Sequence, residues 1–413
     1  MGTVCRTSPA GLLGDRAMRQ SIRRRRSVRG DDLVTFISHT AAASGAELAT
    51  VRLATALEAK GVATSVLFTD TGPMVEELHR RAIPVNVVSG PFDSSRVRIG
   101  GSVTALPIGV WHMVHTGWTL GGFAKQSGST ILVAESTKAL LMGTIAARRA
   151  RLPLIWHVHD RISSEYFGTA LASIIRVLGW VVSAGYIANS TSTLKSLLTS
   201  RKRAVVAYPG IEPVVVPSRE PRPPAEVEIA MVGRLERWKG QDLLLRALAV
   251  SAFRPSVTFV GGAHFGEDFG TELTELAREL GLQDRVTFAG HVSDPTSILA
   301  DADIAVHCSR TTEPFGQVIV EAMAAGCAVI AANSGGPLEI VSDGVDGLLV
   351  DPTDTTSFAA ALDSLIEDSD RRSEMAERAR ATSTRFTIEE TAAIVAQFLG
   401  VADRDGVGGR GRG

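Results

Sequence analysis

From Asp32 onward the chain alternates two hydrophobic patterns: short, nearly continuous runs rich in β-branched residues, and longer segments whose apolar positions recur at helical spacing. The runs DLVTFISHT, VATSVLFTD, PVNVV, ILVAES, PLIWHVHD, YIANS and AVVAYPG predict seven strands. Their unbroken apolarity suits strands covered on both faces, and their separation by helical segments predicts a parallel sheet. The rhythm breaks over residues 212–224, EPVVVPSREPRPP, which is too rich in proline for a helix or a central strand and reads as a linker. A second series follows: VEIAMVG, VTFVGG, VTFAGH, IAVHCS, AVIAAN and GLLV. The expected fold class is therefore α/β: two doubly wound, Rossmann-like parallel-sheet domains, over 32–211 and 225–385, whose strand C-termini face one another across a cleft. A final helix is expected over 386–400.

One run approaches membrane-spanning length: FGTALASIIRVLGWVVSAGYIA, residues 167–188. Arg176 sits at its middle, and a charge at the bilayer centre costs at least about 2.5–3.5 kcal/mol. The segment is read as a buried helix leading into YIANS, and any membrane contact is expected to be peripheral.

Composition narrows this picture. The 413 residues suit two domains, and the formal net charge of -1 gives no global attraction to nucleic acid. Three cysteines without a CxxC pair support neither a disulfide framework nor a zinc site, which fits a reducing cytoplasm. Residues 1–31 hold eight arginines with no apolar signal-peptide core behind them, and they read as a disordered basic arm or an over-extended start, against a basic segment that attracts anionic lipid. Residues 401–413 read as a disordered tail.

Candidate chemistry concentrates in the second half. In MVGRLERWKG, Arg234 and Lys239 stand at the mouth of a strand-to-helix loop, where they can converge on one anion. In EPFGQVIVEAMAAG, Pro314 and Gly316 oppose a continuous helix through both glutamates, so Glu313 is expected in the loop and Glu321 in the first turns of the helix. Both carboxylates would face the cleft, where an acceptor-only group can hold adjacent sugar hydroxyls. Gly335 and Gly336 precede Pro337 at a predicted helix start, and Ser44 and Gly45 precede another; such N-termini favour phosphate. His157 and His159 in WHVHD share one face of a regular strand. They could orient substrate, serve the core, or hold a metal with a third ligand, for which the sequence offers no candidate. Nothing resembles a metal-binding DxD pair after a strand, and GGAHFG lacks dinucleotide spacing.

Taken together, VGRLERWKG, EPFGQVIVEAMAAGCAVIAANSGGPLEIV and DGVDGLLVDPTD resemble the retaining GT-B glycosyltransferases of family 4 (glycosyl transferases group 1), over about residues 32–400. The resemblance implies a sugar transfer from a nucleoside diphosphate sugar, UDP- or GDP-linked, to an acceptor hydroxyl. The acceptor would be a glycan, a lipid-linked or a small molecule, used in polysaccharide, glycolipid or cell-envelope synthesis at the cytoplasmic face of the membrane. It implies that Glu321 binds the ribose, that Glu313 lies beside the transferred sugar, and that the backbone of Phe315 and Gly316 contacts sugar hydroxyls. Arg234 and Lys239 would neutralise the diphosphate with N–H groups of Gly335, Gly336 and Gly45, and His159 would stand near the sugar. No metal or other cofactor is expected. The family also implies an acceptor-side first domain and a last helix that crosses back onto it. Two departures stand out: Leu338 separates Pro337 from Glu339, and the first loop reads ASGAE in place of a double glycine. Rival activities on the same architecture are a sugar-nucleotide 2-epimerase, a glycoside phosphorylase and a non-catalytic partner subunit.

Overall fold

The computed structural model describes residues 32–88, 106–215, 220–262 and 269–401. The basic arm, nearly all of the tail, the whole of GPFDSSRVRIGG (residues 90–101) and part of GGAHFG lie outside them.

Every apolar run of the two series forms a strand. The first domain reads β1 (Leu33–Ser38), α1 (Gly45–Ala59), β2 (Ala63–Phe68), α2 (Pro73–Arg80), β3 (Val85–Val87), α3 (Leu106–Ser127), β4 (Ile131–Ala134) and α4 (Thr137–Ala150). It continues through β5 (Leu154–Val158), α5 (Ser164–Phe167), α6 (Thr169–Val182), β6 (Gly185–Ala188), α7 (Thr191–Lys195) and β7 (Arg203–Val206). The second domain reads β8 (Glu228–Val232), α8 (Gln241–Val250), β9 (Ser256–Val260), α9 (Phe269–Glu279), β10 (Val286–Gly290), α10 (Thr296–Asp301) and β11 (Ile304–His307). After it come α11 (Gln317–Ala324), β12 (Ala328–Ala332), α12 (Pro337–Ile340), β13 (Leu348–Val350), α13 (Thr355–Glu367), α14 (Ser369–Ser383) and α15 (Ile388–Leu399).

The sheets are wholly parallel, ordered β3-β2-β1-β4-β5-β6-β7 and β10-β9-β8-β11-β12-β13. Helices cover both faces, which explains why the strands carry no polar alternation. On one face of the first sheet, Val34, Phe36, Leu53 and Leu57 are buried together with Ile388, Ala392 and Val395 of α15. That last helix thus packs on α1 of the first domain. Full burial of an Ile or Val side chain contributes roughly 1.5–3 kcal/mol, so detaching α15 costs several such increments. The outgoing and returning chains run side by side: Ile211 N–H donates to Phe386 O at 2.9 Å and Ile388 N–H to Ile211 O at 3.1 Å.

One expectation needs correction. The run 167–188 supplies α6 and β6, but α6 is not a buried helix: Ala172, Ile175 and Gly179 are buried and Leu171 and Val182 pack partly buried on the core, while Ile174, Val177, Trp180 and Val181 are exposed. No described helix is long and apolar enough to cross a membrane.

Candidate active site

In a doubly wound sheet the strand order reverses at one point, and the two loops leaving the adjacent strands there diverge to open a crevice. The reversals fall between β1 and β4 in the first domain and between β8 and β11 in the second. The residues after β8 and after β11 are therefore neighbours although some seventy positions separate them.

That neighbourhood holds the charged pair of the second domain. Lys239 Nζ donates to both carboxylate oxygens of Glu313, at 3.0 and 2.9 Å. Ser309 Oγ donates to Glu313 Oε2 at 2.9 Å, and His307 Nε2 lies 3.3 Å from the same oxygen. Burial alone would raise the Glu313 pKa; Lys239 and then His307 outweigh it and hold the carboxyl well below the usual range. The loop after β8 reaches this position because Gly240 adopts φ +80° and passes against Cys308, whose carbonyl oxygen would stand 2.2 Å from any Cβ there. Arg234 pairs with Glu236 at 3.1 Å and keeps a half-exposed side chain.

Glu313 lies in the loop, Gly316 takes a left-handed conformation as the N-cap of α11, and Glu321 is the fifth residue of that helix. The Gly335–Gly336 turn presses onto the same loop. A Cβ on Gly336 would fall 2.2 Å from Phe315 Cα, and the Gly336 N–H donates to Glu313 O at 2.9 Å. This N–H, which the resemblance directs to phosphate, is thus committed to holding the Glu313 loop. The Phe315 ring is buried, stacked on Tyr208 at 5.5 Å.

The first domain contributes a different wall. Glu135, just after β4, is buried and accepts from Thr50 Oγ1 at 2.8 Å and His159 Nε2 at 2.7 Å; His157 Nδ1 is 3.1 Å from the same oxygen. Burial drives the His157 pKa down. Burial also acts against protonated His159, but Glu135, Asp160 and Glu47 outweigh it and raise its pKa. Among the described residues, Glu135, His157 and His159 form the one group of three whose metal-capable atoms all lie within 4.8 Å of one another. Tetrahedral ligands about 2.1 Å from zinc stand about 3.4 Å apart. The 2.7 Å contact is shorter and has the length of a charge-assisted hydrogen bond.

The walls touch. Arg52 of α1 pairs with Glu321 at 3.0 Å, and a Cβ on Gly45 would lie 3.0 Å from Gln317 Oε1, so the N-termini of α1 and α11 approach each other. Glu339 accepts the N–H groups of Thr191 and Ser192 at 2.8 and 2.7 Å and the Tyr208 hydroxyl at 3.0 Å, capping α7 from the opposite domain. Ser190 Oγ donates to Pro314 O at 2.6 Å. Asp160 lies within Coulombic reach of His159, Arg234 and Glu313.

The ten residues to which the resemblance gives roles all lie on the loops, strand end and helix starts just described. Sequence reasoning missed Glu135, His307, Ser309, Arg52 and Glu339. For Glu135 a signal existed: a lone glutamate closing an otherwise apolar strand, ILVAES, at a position where unpaired burial would be costly.

The chain is similar to known proteins over both domains. Residues 217–382 match the model for glycosyl transferases group 1 and residues 43–215 the model for Glycosyltransferase Family 4. A D-inositol 3-phosphate glycosyltransferase of Corynebacterium kroppenstedtii is 39% identical over 186 residues, 43% of this chain and 41% of that protein, so this match spans less than half of the relative's length. One from Stackebrandtia nassauensis is 30% identical over 320 residues, 70% of this chain and 68% of that protein. The crystal structure of Anabaena Alr3699/HepE in complex with UDP and glucose superposes with a TM-score of 0.76 at 29% identity, covering 89% of this chain and 99% of that one.

Proposed function

This chain belongs to the family 4 glycosyltransferases of the GT-B fold, and from that premise we propose that it moves a sugar from a nucleoside diphosphate to an acceptor hydroxyl with retention of anomeric configuration. The observation that carries the reading is the Lys239–Glu313 pair at the β8/β11 reversal, within reach of the His159–Asp160 end of β5. A uridine-linked hexose is the favoured donor, as Alr3699/HepE was solved with UDP and glucose. The proposed acceptor is a glycan or glycolipid of the cell envelope, on the cytoplasmic side.

In this reading Glu321 binds the ribose. Arg52 holds its Oε1, and a carboxylate accepts several hydrogen bonds, so the hydroxyls can share it. Glu313 stands beside the hexose. The bond from the anomeric carbon to the phosphate oxygen breaks, the acceptor oxygen attacks from the same face, and its proton passes to the leaving diphosphate. Lys239 stabilises the charge that develops there, since an ammonium has three donors and its bonds to Glu313 leave capacity for a phosphate oxygen. Arg234 approaches the diphosphate from the loop mouth, and His159 orients the sugar.

The test is release of nucleoside diphosphate across a panel of UDP- and GDP-sugars with lipid-linked and soluble acceptors, with the product anomer assigned by NMR. Acceptor-dependent release from a UDP-hexose, with the donor's configuration kept, is expected. Inverted product would end the retaining mechanism, and absence of nucleotide-sugar binding in calorimetry would end the transferase reading.

A further inference from the structure

Helix α6 contains one charged residue, Arg176, and its guanidinium is folded inward: Nε donates to the carbonyls of Ile162 and Ser196 at 3.0 and 2.8 Å. What faces outward is apolar, with Ile174, Val177 and Val181 at 62%, 53% and 60% exposure beside Trp180. A surface helix normally turns a polar face to water, and α6 has none. Helix α3 is inverted in the same sense. It approaches α4 through Gly117 and Gly121, where a Cβ would fall 2.6 and 2.8 Å from the carbonyl oxygens of Met142 and Ala146. Leu120 turns into the core, but Trp111, Val114 and Trp118 are exposed.

Between these two apolar ridges lies α4, packed against both, and it ends in cations: Arg148, Arg149 and, just beyond, Arg151. The Arg149 guanidinium stands 4.5 Å over the Trp118 ring, and the Lys202 ammonium 5.7 Å from the Trp180 ring. Each of these tryptophans therefore carries a cation at its edge of the surface. Charge is one-signed here. Residues 106–211 hold eleven Lys and Arg against three Asp and Glu, although the whole chain is at -1, and α3, α4 and α6 contain no acid at all. Of the three acids, Glu135 is buried among histidines, and Asp160 lies at the cleft.

Exposed aromatic and aliphatic side chains rimmed by Arg and Lys fit the boundary of an anionic bilayer, where rings sit at headgroup depth and cations meet phosphates. A second copy of the chain fits less well: a two-fold contact would set this arginine cluster against itself. We infer that the outer face of α3, α4 and α6 is a docking surface for an anionic phospholipid bilayer. The surface leads to the cleft, because Tyr166 of α5, directly before α6, is exposed and within Coulombic reach of Arg234 and Glu313. An acceptor hydroxyl carried on a lipid would meet the donor site without leaving the membrane. The inference concerns binding and does not depend on which sugar moves.

Co-sedimentation of the full chain with vesicles of phosphatidylcholine, alone or mixed with phosphatidylglycerol, tests it. Binding to the mixed vesicles is expected at low salt, about tenfold weaker to phosphatidylcholine alone and weakened by added salt. Tryptophan emission should shift to the blue on binding. Val177→Asp with Val181→Asp should lower binding to mixed vesicles by about tenfold or more. Arg148→Glu with Arg151→Glu, which leaves the apolar ridges intact, should bring it to the phosphatidylcholine level. Nucleotide-sugar binding by each variant reports that the fold and the donor site survive. Wild-type chain that stays in the supernatant, or sedimentation unchanged in the Arg148/Arg151 variant, overturns the proposal. A concentration-dependent dimer in ultracentrifugation that Val177→Asp dissolves, without vesicle binding, assigns the face to self-association instead.

Discussion

Both walls of the cleft hold a largely buried carboxylate at the reversal point of a parallel sheet, yet they partner it differently. Glu313 is held by a lysine ammonium, with Ser309 and His307 behind it. Glu135 is held by two imidazoles and a threonine hydroxyl. Burial alone would raise the Glu135 pKa; His157 and His159 outweigh it and bring it down to about 2. One topology can thus build two electrostatic devices. In the second-domain wall, Lys239 and His307 hold the Glu313 carboxyl well below the usual carboxylate range. In the first-domain wall the titrating partner is His159, whose pKa is raised by the neighbouring carboxylates against the effect of burial.

The largest test of this contrast is Lys239→Ala. Turnover should fall by about 10²–10³, the scale of losing one donor to developing charge, while donor affinity changes far less. A loss confined to affinity would remove Lys239 from the chemistry. Glu135→Gln comes next. It keeps the shape but removes the charge that raises His159, so a limb of the kcat/KM profile that follows His159 should move to lower pH. A limb that stays in place would break the titrating wall. The same change carries a stability signature with a definite sign. Glu135 is depressed in the folded state, so its contribution is present above the unfolded carboxyl value and is lost as pH falls from about 4.5 toward about 2. Urea titrations of wild type and variant should therefore converge in acid. His159 behaves oppositely: its raised pKa adds stability below its unfolded value, and that part disappears as pH rises through the folded value.

Smaller effects separate the two glutamates of the second domain. Glu321→Ala should weaken free nucleotide binding by about tenfold, roughly one hydrogen-bonded contact, whereas Glu313→Ala should act mainly on kcat. Equal effects of both on nucleotide affinity would undo the division. Glu339→Ala removes the cap that the second domain places on α7 and should cost about 1–2 kcal/mol, read as a lowered Tm with little change in donor affinity. At the bottom of the scale, chelation with EDTA should leave turnover unchanged, and lost activity restored by one added divalent ion would put a metal in the donor site.

The fold was almost wholly legible, because thirteen apolar runs separated by helical periods specify strands covered on both faces. In the site, EPFGQVIVEAMAAG disclosed its own geometry: Pro314 and Gly316 interrupt the helix and place Glu313 and Glu321 in different elements. Partners were not legible. Nothing local marks His307 and Ser309 as bonded to Glu313, and Glu339 stood out only as a departure from pattern until it was seen capping α7. The run 167–188 misled for a related reason. Hydropathy reports how apolar a helix is, and it does not report which side the rest of the domain covers.

Periodicity and backbone-specific residues act over a few positions, so the chain's local pattern is enough to specify the elements, their parallel arrangement in two units and the chemical types available at the loop ends. Which of these groups meet depends on how the sheets and domains assemble. Strand order brings the loop after β8 beside that after β11 and Glu135 beside the histidines of β5, and the docking of two domains joins Arg52 to Glu321 and Glu339 to α7. Electrostatic partnership depends on distance and burial, and both are set by contacts between residues far apart in the chain.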